Sequence, residues 1–64
     1  MATFGNLDAF YIVETTPQTP YYTTRSERAA RKLARQLVQE RLVESARVIA
    51  ARLTSDERQI IYRA

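Results

Sequence analysis

Basic side chains recur at helical spacing in the middle of the chain. They are Arg28, Arg31, Lys32 and Arg35, at positions i, i+3, i+4 and i+7, with Arg25 one turn earlier. On an α-helix these positions fall on one face, so the charged groups would form a cationic stripe. Such a stripe attracts phosphate or an acidic protein surface. We therefore identify these five residues as candidate contacts for a partner or for phosphate groups.

Residue types that support catalysis or metal binding are scarce. The sequence contains no His and no Cys, which removes the most common general base, the thiol nucleophile and the usual zinc ligands. Its single glycine, Gly5, excludes a glycine-rich phosphate loop. Glu40 and Glu44 come closest to a carboxylate pair, but exposed helical pairs of this kind are ordinary surface features. We expect no catalytic residues, no metal and no cofactor, and therefore no enzymatic activity.

Length and charge limit the classes of protein that the chain can belong to. We interpret its 64 residues as one domain, 1–64, whose core is too small to give a wide stability margin. Residues 1–24 carry two acids and no base, whereas residues 25–64 carry ten bases and five acids. The chain shows neither a secretion signal pattern nor an apolar run long enough for a membrane span. We expect a cytoplasmic protein without integral membrane association, stabilised by a partner or as a homodimer.

The first third of the sequence has the composition of β structure. We interpret residues 1–9 as an irregular lead-in. Residues 10–24 predict a β-hairpin, because aromatic and β-branched side chains from Phe10 to Val13 and from Tyr21 to Thr24 flank a segment with two prolines.

A long helix is predicted next, over residues 25–53. Thr24 and Glu27 have the spacing of a capping box, and neither Gly nor Pro interrupts the following residues. A second capping box at Thr54 and Glu57 predicts a short helix over residues 55–63. The expected fold is α+β, a hairpin followed by two helices (ββαα). The alternative is ββαβ, in which residues 59–62 form a third strand.

Apolar side chains turn around this predicted helix after Leu37. The later set points about 120° away from the earlier one, at 100° per residue. This turn indicates either a kink or break near residues 39–45 or one long helix that packs its two halves on different surfaces, and the lack of Gly and Pro favours the unbroken helix. The later set consists of Ala46 and the larger residues Val38, Leu42, Ile49 and Leu53. We predict that these four larger residues form an apolar surface for a second subunit or a partner.

Two aromatic side chains complete the candidate contacts. Tyr21 and Tyr22 are adjacent, so a strand directs them to opposite faces and only one is readily buried. The outward one is a candidate aromatic contact.

These features together predict a binding protein. We expect a small regulatory or inhibitory module that docks its basic helix face and the adjacent apolar surface on a larger protein with an acidic surface. The alternative is a regulator that places the same basic residues on the phosphates of DNA or RNA.

Overall fold

A computed structural model describes residues 8–17 and 22–64 and shows one helix packed on a four-stranded antiparallel sheet. The elements in chain order are β1 (Ala9–Thr16), β2 (Tyr22–Thr24), α1 (Glu27–Gln39), β3 (Ser45–Arg52) and β4 (Arg58–Arg63). The strand order across the sheet is β2-β1-β3-β4, so β1 and β3 are central and β2 and β4 form the edges. The predicted lead-in over residues 1–7, and residues 18–21 of the predicted hairpin, lie outside the described residues.

The predicted ββαα order is wrong, because the chain follows the order ββαββ. The helix predicted over residues 25–53 ends at Gln39, and residues 45–52 form β3 instead. The short helix predicted over residues 55–63 is also wrong, since β4 occupies Arg58–Arg63. The alternative order ββαβ includes a strand at residues 59–62, within β4, but it is also wrong because it has no strand at residues 45–52.

Helix α1 ends in a hydrogen-bonded cap that contains no glycine. The Leu42 N–H donates to the Leu37 carbonyl and the Arg41 N–H donates to the Val38 carbonyl, both at 3.0 Å. This is the Schellman pattern, which requires a left-handed residue after the helix. Arg41 occupies that position with φ of 59°. Because the residue is not Gly, the sequence carries no visible stop signal at this point.

Strand β3 forms because it pairs along its whole length with β1. The register runs from Ala9 opposite Arg52 to Thr16 opposite Ser45. Side chains then alternate between the two faces of the sheet, with Val48 towards α1 and Ile49 away from it. The local helix preference of this segment is overridden by that pairing, which buries apolar side chains on both faces.

The main core lies between α1 and the sheet. Ala30 and Ala34 of the helix are fully buried, as are Val13 and Val48 on the central strands beneath them. Small alanine side chains allow the helix backbone to approach the sheet closely. Leu33, Leu37, Val38, Ile61, Tyr62 and Ala64 pack around this core and are themselves partly buried.

A second apolar cluster lies on the opposite face of the sheet. Ile12, Ile49 and Ala51 are buried there, and Phe10 packs against them. Ile49 was expected on a helix surface, but it is a strand residue opposite Ile12.

The start of α1 differs from the predicted capping box. Ser26, not Thr24, is the N-cap residue, and its hydroxyl accepts a hydrogen bond of 3.2 Å from the Ala29 N–H. Thr24 supports the cap from outside the helix, because its hydroxyl accepts the Ser26 N–H at 3.2 Å. Glu27 forms an ion pair with Arg31 at 2.8 Å instead of reaching back to the cap.

The second predicted capping box lies in the turn between β3 and β4. The Ser55 hydroxyl accepts the Glu57 N–H at 3.2 Å. The Thr54 hydroxyl donates to Asp8 Oδ2 at 2.7 Å, and the Arg52 side chain pairs with Asp8 at 3.4 Å and with Glu57 at 3.0 Å. These contacts hold the turn against the start of β1, so the polar residues that predicted a helix start stabilise a turn instead.

Candidate anion-binding face

Three basic side chains project from the solvent side of α1. Arg28, Lys32 and Arg35 are exposed, while Ala30 and Ala34 on the other side of the helix are buried against the sheet. At about 1.5 Å per residue the three positions extend over about 10 Å of the helix axis. We call these three residues the cationic face. They line an open depression together with Glu27 and Arg31.

Arg31, the fourth predicted contact, forms hydrogen bonds and a ring contact within the protein itself. Its Nε donates to Glu27 Oε2 at 2.8 Å, and its Nη2 donates to the Ile61 carbonyl at 3.4 Å. The guanidinium carbon also lies 5.2 Å from the centroid of the Tyr62 ring. These contacts join α1 to β4, so we leave Arg31 out of the cationic face.

Arg25, the fifth predicted contact, also has a structural partner. Its Nε donates to the Ala9 carbonyl at 2.8 Å, across the junction between β2 and α1. This hydrogen bond fastens the start of the helix to the first residue of β1. Arg25 therefore positions the cationic face and is not a member of it.

The charge of the cationic face is not neutralised by neighbouring side chains. Across residues 8–17 and 22–64, no carboxylate lies within 4.0 Å of Arg28, Lys32 or Arg35. Glu27 is paired with Arg31, and Glu40 accepts a hydrogen bond from Gln36 Nε2 at 3.0 Å. The face therefore presents three positive charges to an incoming anion.

The surroundings of the cationic face are polar. Ala29, Gln36 and Gln39 are the other exposed residues on the helix before its C-cap at Glu40. Among the described residues, every large apolar side chain that is strongly exposed lies outside α1. The face can therefore offer charge and hydrogen bonds, but no apolar side chain to fill a pocket on a partner.

The four residues of the predicted apolar surface do not form one surface. Val38 packs against the core, and Ile49 is buried on the opposite face of the sheet. Leu42 lies in the loop after α1 and is 64% exposed, and Leu53 lies in the turn after β3 and is 61% exposed. The prediction of a continuous helical surface is wrong because the helix ends at Gln39.

The aromatic residues also fall into different environments. Tyr22 is 49% exposed on β2, whereas Tyr21 lies outside the described residues. Tyr62 is not among the predicted contacts, but its ring lies against Arg31, which is one of them. Its partnership with Arg31 links residues 31 positions apart, and no local pattern predicts such a pair.

Metal-binding clusters and membrane-spanning helices are both absent from the described part of the chain. It contains no group of three or more acidic, His or Cys side chains that could hold a metal ion. Its helix is neither long enough nor apolar enough to cross a membrane. Comparisons of the chain with protein-family models, with curated proteins and with solved structures found no match.

Proposed function

We propose that this protein is a non-enzymatic nucleic-acid-binding regulator that contacts phosphate groups through Arg28, Lys32 and Arg35. One observation carries the proposal. Three exposed cations lie along one side of a helix, with no carboxylate to neutralise them among the described residues. Phosphate groups are natural ligands of such a surface, because duplex DNA carries one negative charge per about 1.7 Å of its axis.

The composition of the helix surface favours nucleic acid over protein. Protein interfaces centre on buried apolar or aromatic side chains and are depleted in Lys. Protein surfaces that bind DNA are more polar and more positively charged. The exposed side of α1 combines Arg28, Lys32 and Arg35 with Gln36 and Gln39, all of which have N–H groups that can donate to phosphate oxygens.

The apolar helix surface that favoured a protein partner in the sequence analysis is absent from the fold. Val38 and Ile49 are used in the two clusters of buried residues. A nucleic-acid partner requires no such surface, because most of its binding free energy comes from phosphate contacts and counterion release.

A larger protein with an acidic surface is the second candidate partner. The observation that favours it is the 64% exposure of Leu42, which follows the C-terminus of α1 and could enter an apolar pocket. This candidate predicts that Leu42→Ser weakens binding. The nucleic-acid proposal predicts that the same substitution leaves phosphate binding unchanged.

The salt dependence of DNA binding tests the proposed function. We expect the anisotropy of a labelled duplex to give a slope of log affinity against log salt near about −2.7, at about −0.9 per phosphate contact. Each of Arg28→Gln, Lys32→Gln and Arg35→Gln should reduce the magnitude of that slope by about 0.9. Arg58→Gln is the matched control, because it removes one exposed charge from β4 instead of α1.

Two results would contradict the proposal. The first is a slope near zero with duplex DNA, single-stranded DNA and RNA. The second is an equal reduction of the slope by Arg58→Gln and by the three helix substitutions, because the binding would then depend on total charge and not on the cationic face.

A further inference from the structure

Strand β4 has a feature that the cationic face does not explain, because its outer edge is unpaired in the described part of the structure. It has six residues, whereas β2 at the other edge of the sheet has three. An unpaired edge presents backbone N–H and C=O groups that can pair with another extended chain. β4 is therefore the longer of the two edges that could accept a strand.

The two ends of β4 are positively charged. Arg58 and Arg63 are both exposed, and neither has a carboxylate partner among the described residues. Arg63 lies opposite Arg47 on β3, and the nearby Glu14 is occupied by Arg47 through contacts of 2.8 and 2.6 Å. No acidic residue lies within Arg58–Arg63. The edge therefore carries two positive charges that no carboxylate of the described residues neutralises.

An apolar side chain lies between these charges. Ile60 pairs with Ile49, Arg58 with Ala51 and Arg63 with Arg47, so all three β4 residues face away from α1. Ile60 is 39% exposed. A strand added beside β4 would thus meet a positive side chain, an isoleucine and a second positive side chain on one face.

We propose that β4 binds an extended acidic peptide segment of a partner protein, which joins the sheet as a fifth strand. Acidic side chains of the peptide would lie beside Arg58 and Arg63, and an apolar side chain would lie beside Ile60. The β3 residues opposite these two arginines, Ala51 and Arg47, are four positions apart, because β4 has one extra residue at the register shift beside Val48 and Ile49. A regular peptide strand therefore needs its two acidic residues four positions apart, about 13 Å at about 3.3 Å per residue, so that both side chains lie on the same face.

A second copy of this chain fits the edge poorly. The antiparallel register that overlaps the full length of both β4 strands places Arg58 of each copy opposite Arg63 of the other. Like charges directly opposite each other destabilise a strand pair. An acidic strand avoids the charge repulsion.

A charge-swap experiment tests this proposal. The probe is a fluorescent pentapeptide with Glu at both ends, Val at its third position and Thr elsewhere, so that an antiparallel alignment brings Val beside Ile60 and directs all three side chains to one face. We expect wild-type protein to raise its anisotropy. The double substitution Arg58→Glu with Arg63→Glu should weaken binding at least tenfold and should create binding of the same peptide with Lys at both ends.

Two controls separate strand addition from simple charge attraction. A backbone N-methylated version of the acidic peptide keeps both carboxylates but cannot donate hydrogen bonds to the edge, so its binding should be lost. The substitutions Arg28→Gln and Lys32→Gln on the opposite face should leave peptide binding unchanged. Circular dichroism and a thermal unfolding curve establish that each variant is folded.

Several outcomes would overturn the proposal. They are no binding of the acidic peptide by wild-type protein, equal binding of the N-methylated peptide, and loss of binding in the helix variants. Sedimentation showing a wild-type dimer that Ile60→Asp dissociates would identify a second copy as the occupant. The nucleic-acid proposal stands or fails separately, because its salt slope depends on residues of α1.

Discussion

The guanidinium group of Arg31 covers the ring of Tyr62, with its central carbon 5.2 Å from the ring centroid. A side chain from the helix α1 thereby contacts the edge strand β4. The same guanidinium pairs with Glu27 and donates to the Ile61 carbonyl. Arg31 belongs to the stabilising contacts of the fold, although its spacing with Arg28 and Arg35 suggests a binding residue.

A double-mutant cycle of Arg31→Gln and Tyr62→Leu measures this contact. We expect a coupling energy of about 0.5–1 kcal/mol in urea unfolding, the range of a partly exposed cation–π pair. Arg28→Gln is the matched control and should change the free energy of unfolding by less than about 0.5 kcal/mol, because Arg28 is exposed. If the two substitutions change the free energy of unfolding additively, the contact between Arg31 and the Tyr62 ring does not contribute to stability.

Substitution of the N-cap residue distinguishes the observed helix start from the predicted one. Ser26→Ala should lower the free energy of unfolding by about 1 kcal/mol, since the Ala29 N–H loses its acceptor. Thr24→Ala removes a hydrogen bond that lies outside the helix, so it should lower the free energy of unfolding by less than Ser26→Ala does. Chemical denaturation of both variants is the measurement. A larger loss for Thr24→Ala would restore Thr24 as the cap.

The helix end offers a stabilising substitution. Arg41→Gly should raise the free energy of unfolding by up to about 1 kcal/mol, because a left-handed residue with a Cβ atom costs about 1–2 kcal/mol and the flexibility of Gly offsets part of the gain. Glu40→Gly is the control. Glu40 has φ of −86°, so the same change there should lower stability. Thermal unfolding midpoints that move in the same direction for both variants would contradict this account.

The charges at one end of the sheet give a salt-dependent prediction. Glu14 pairs with Arg47, which lies opposite Arg63 on β4. Glu14→Gln should lower the free energy of unfolding by about 0.2–1 kcal/mol at low ionic strength, because the two arginines then repel each other without compensation. The loss should shrink in 1 M NaCl, where the screening length is about 3 Å. In an Arg63→Gln background, Glu14→Gln should lower the free energy of unfolding by a smaller amount. An unchanged loss would show that repulsion between Arg47 and Arg63 does not contribute.

Local patterns predicted some elements well and failed where distant contacts decide. Aromatic and β-branched residues near Ile12 and Val13 indicated a strand, and that segment is β1. A polar cap followed by good helix formers predicted a helix near residue 25, and α1 begins at Glu27. The helix end was not predictable, because Arg41 adopts the left-handed conformation that usually marks a Gly.

The candidate site was also predicted only in part from local patterns. The spacing of Arg28, Lys32 and Arg35 placed them together on one helix face, and that face is exposed. The same spacing could not separate Arg31 from them, because its role depends on Tyr62, which is distant in sequence. The edge of β4, which is unpaired among the described residues, was not predicted either, because the favoured interpretation made this segment helical and a strand over residues 59–62 was only the alternative.

The amino-acid sequence by itself determined the charge of this protein, its lack of His and Cys, and the helical register of its basic residues. Only the tertiary structure decided that residues 45–52 are a strand and which cations face solvent. The physical reason is that residues 45–52 satisfy both patterns locally, and pairing with β1 buries Val48 on one face and Ile49 on the other. On a helix these two neighbouring side chains would point about 100° apart, so a single packing surface would not cover both equally.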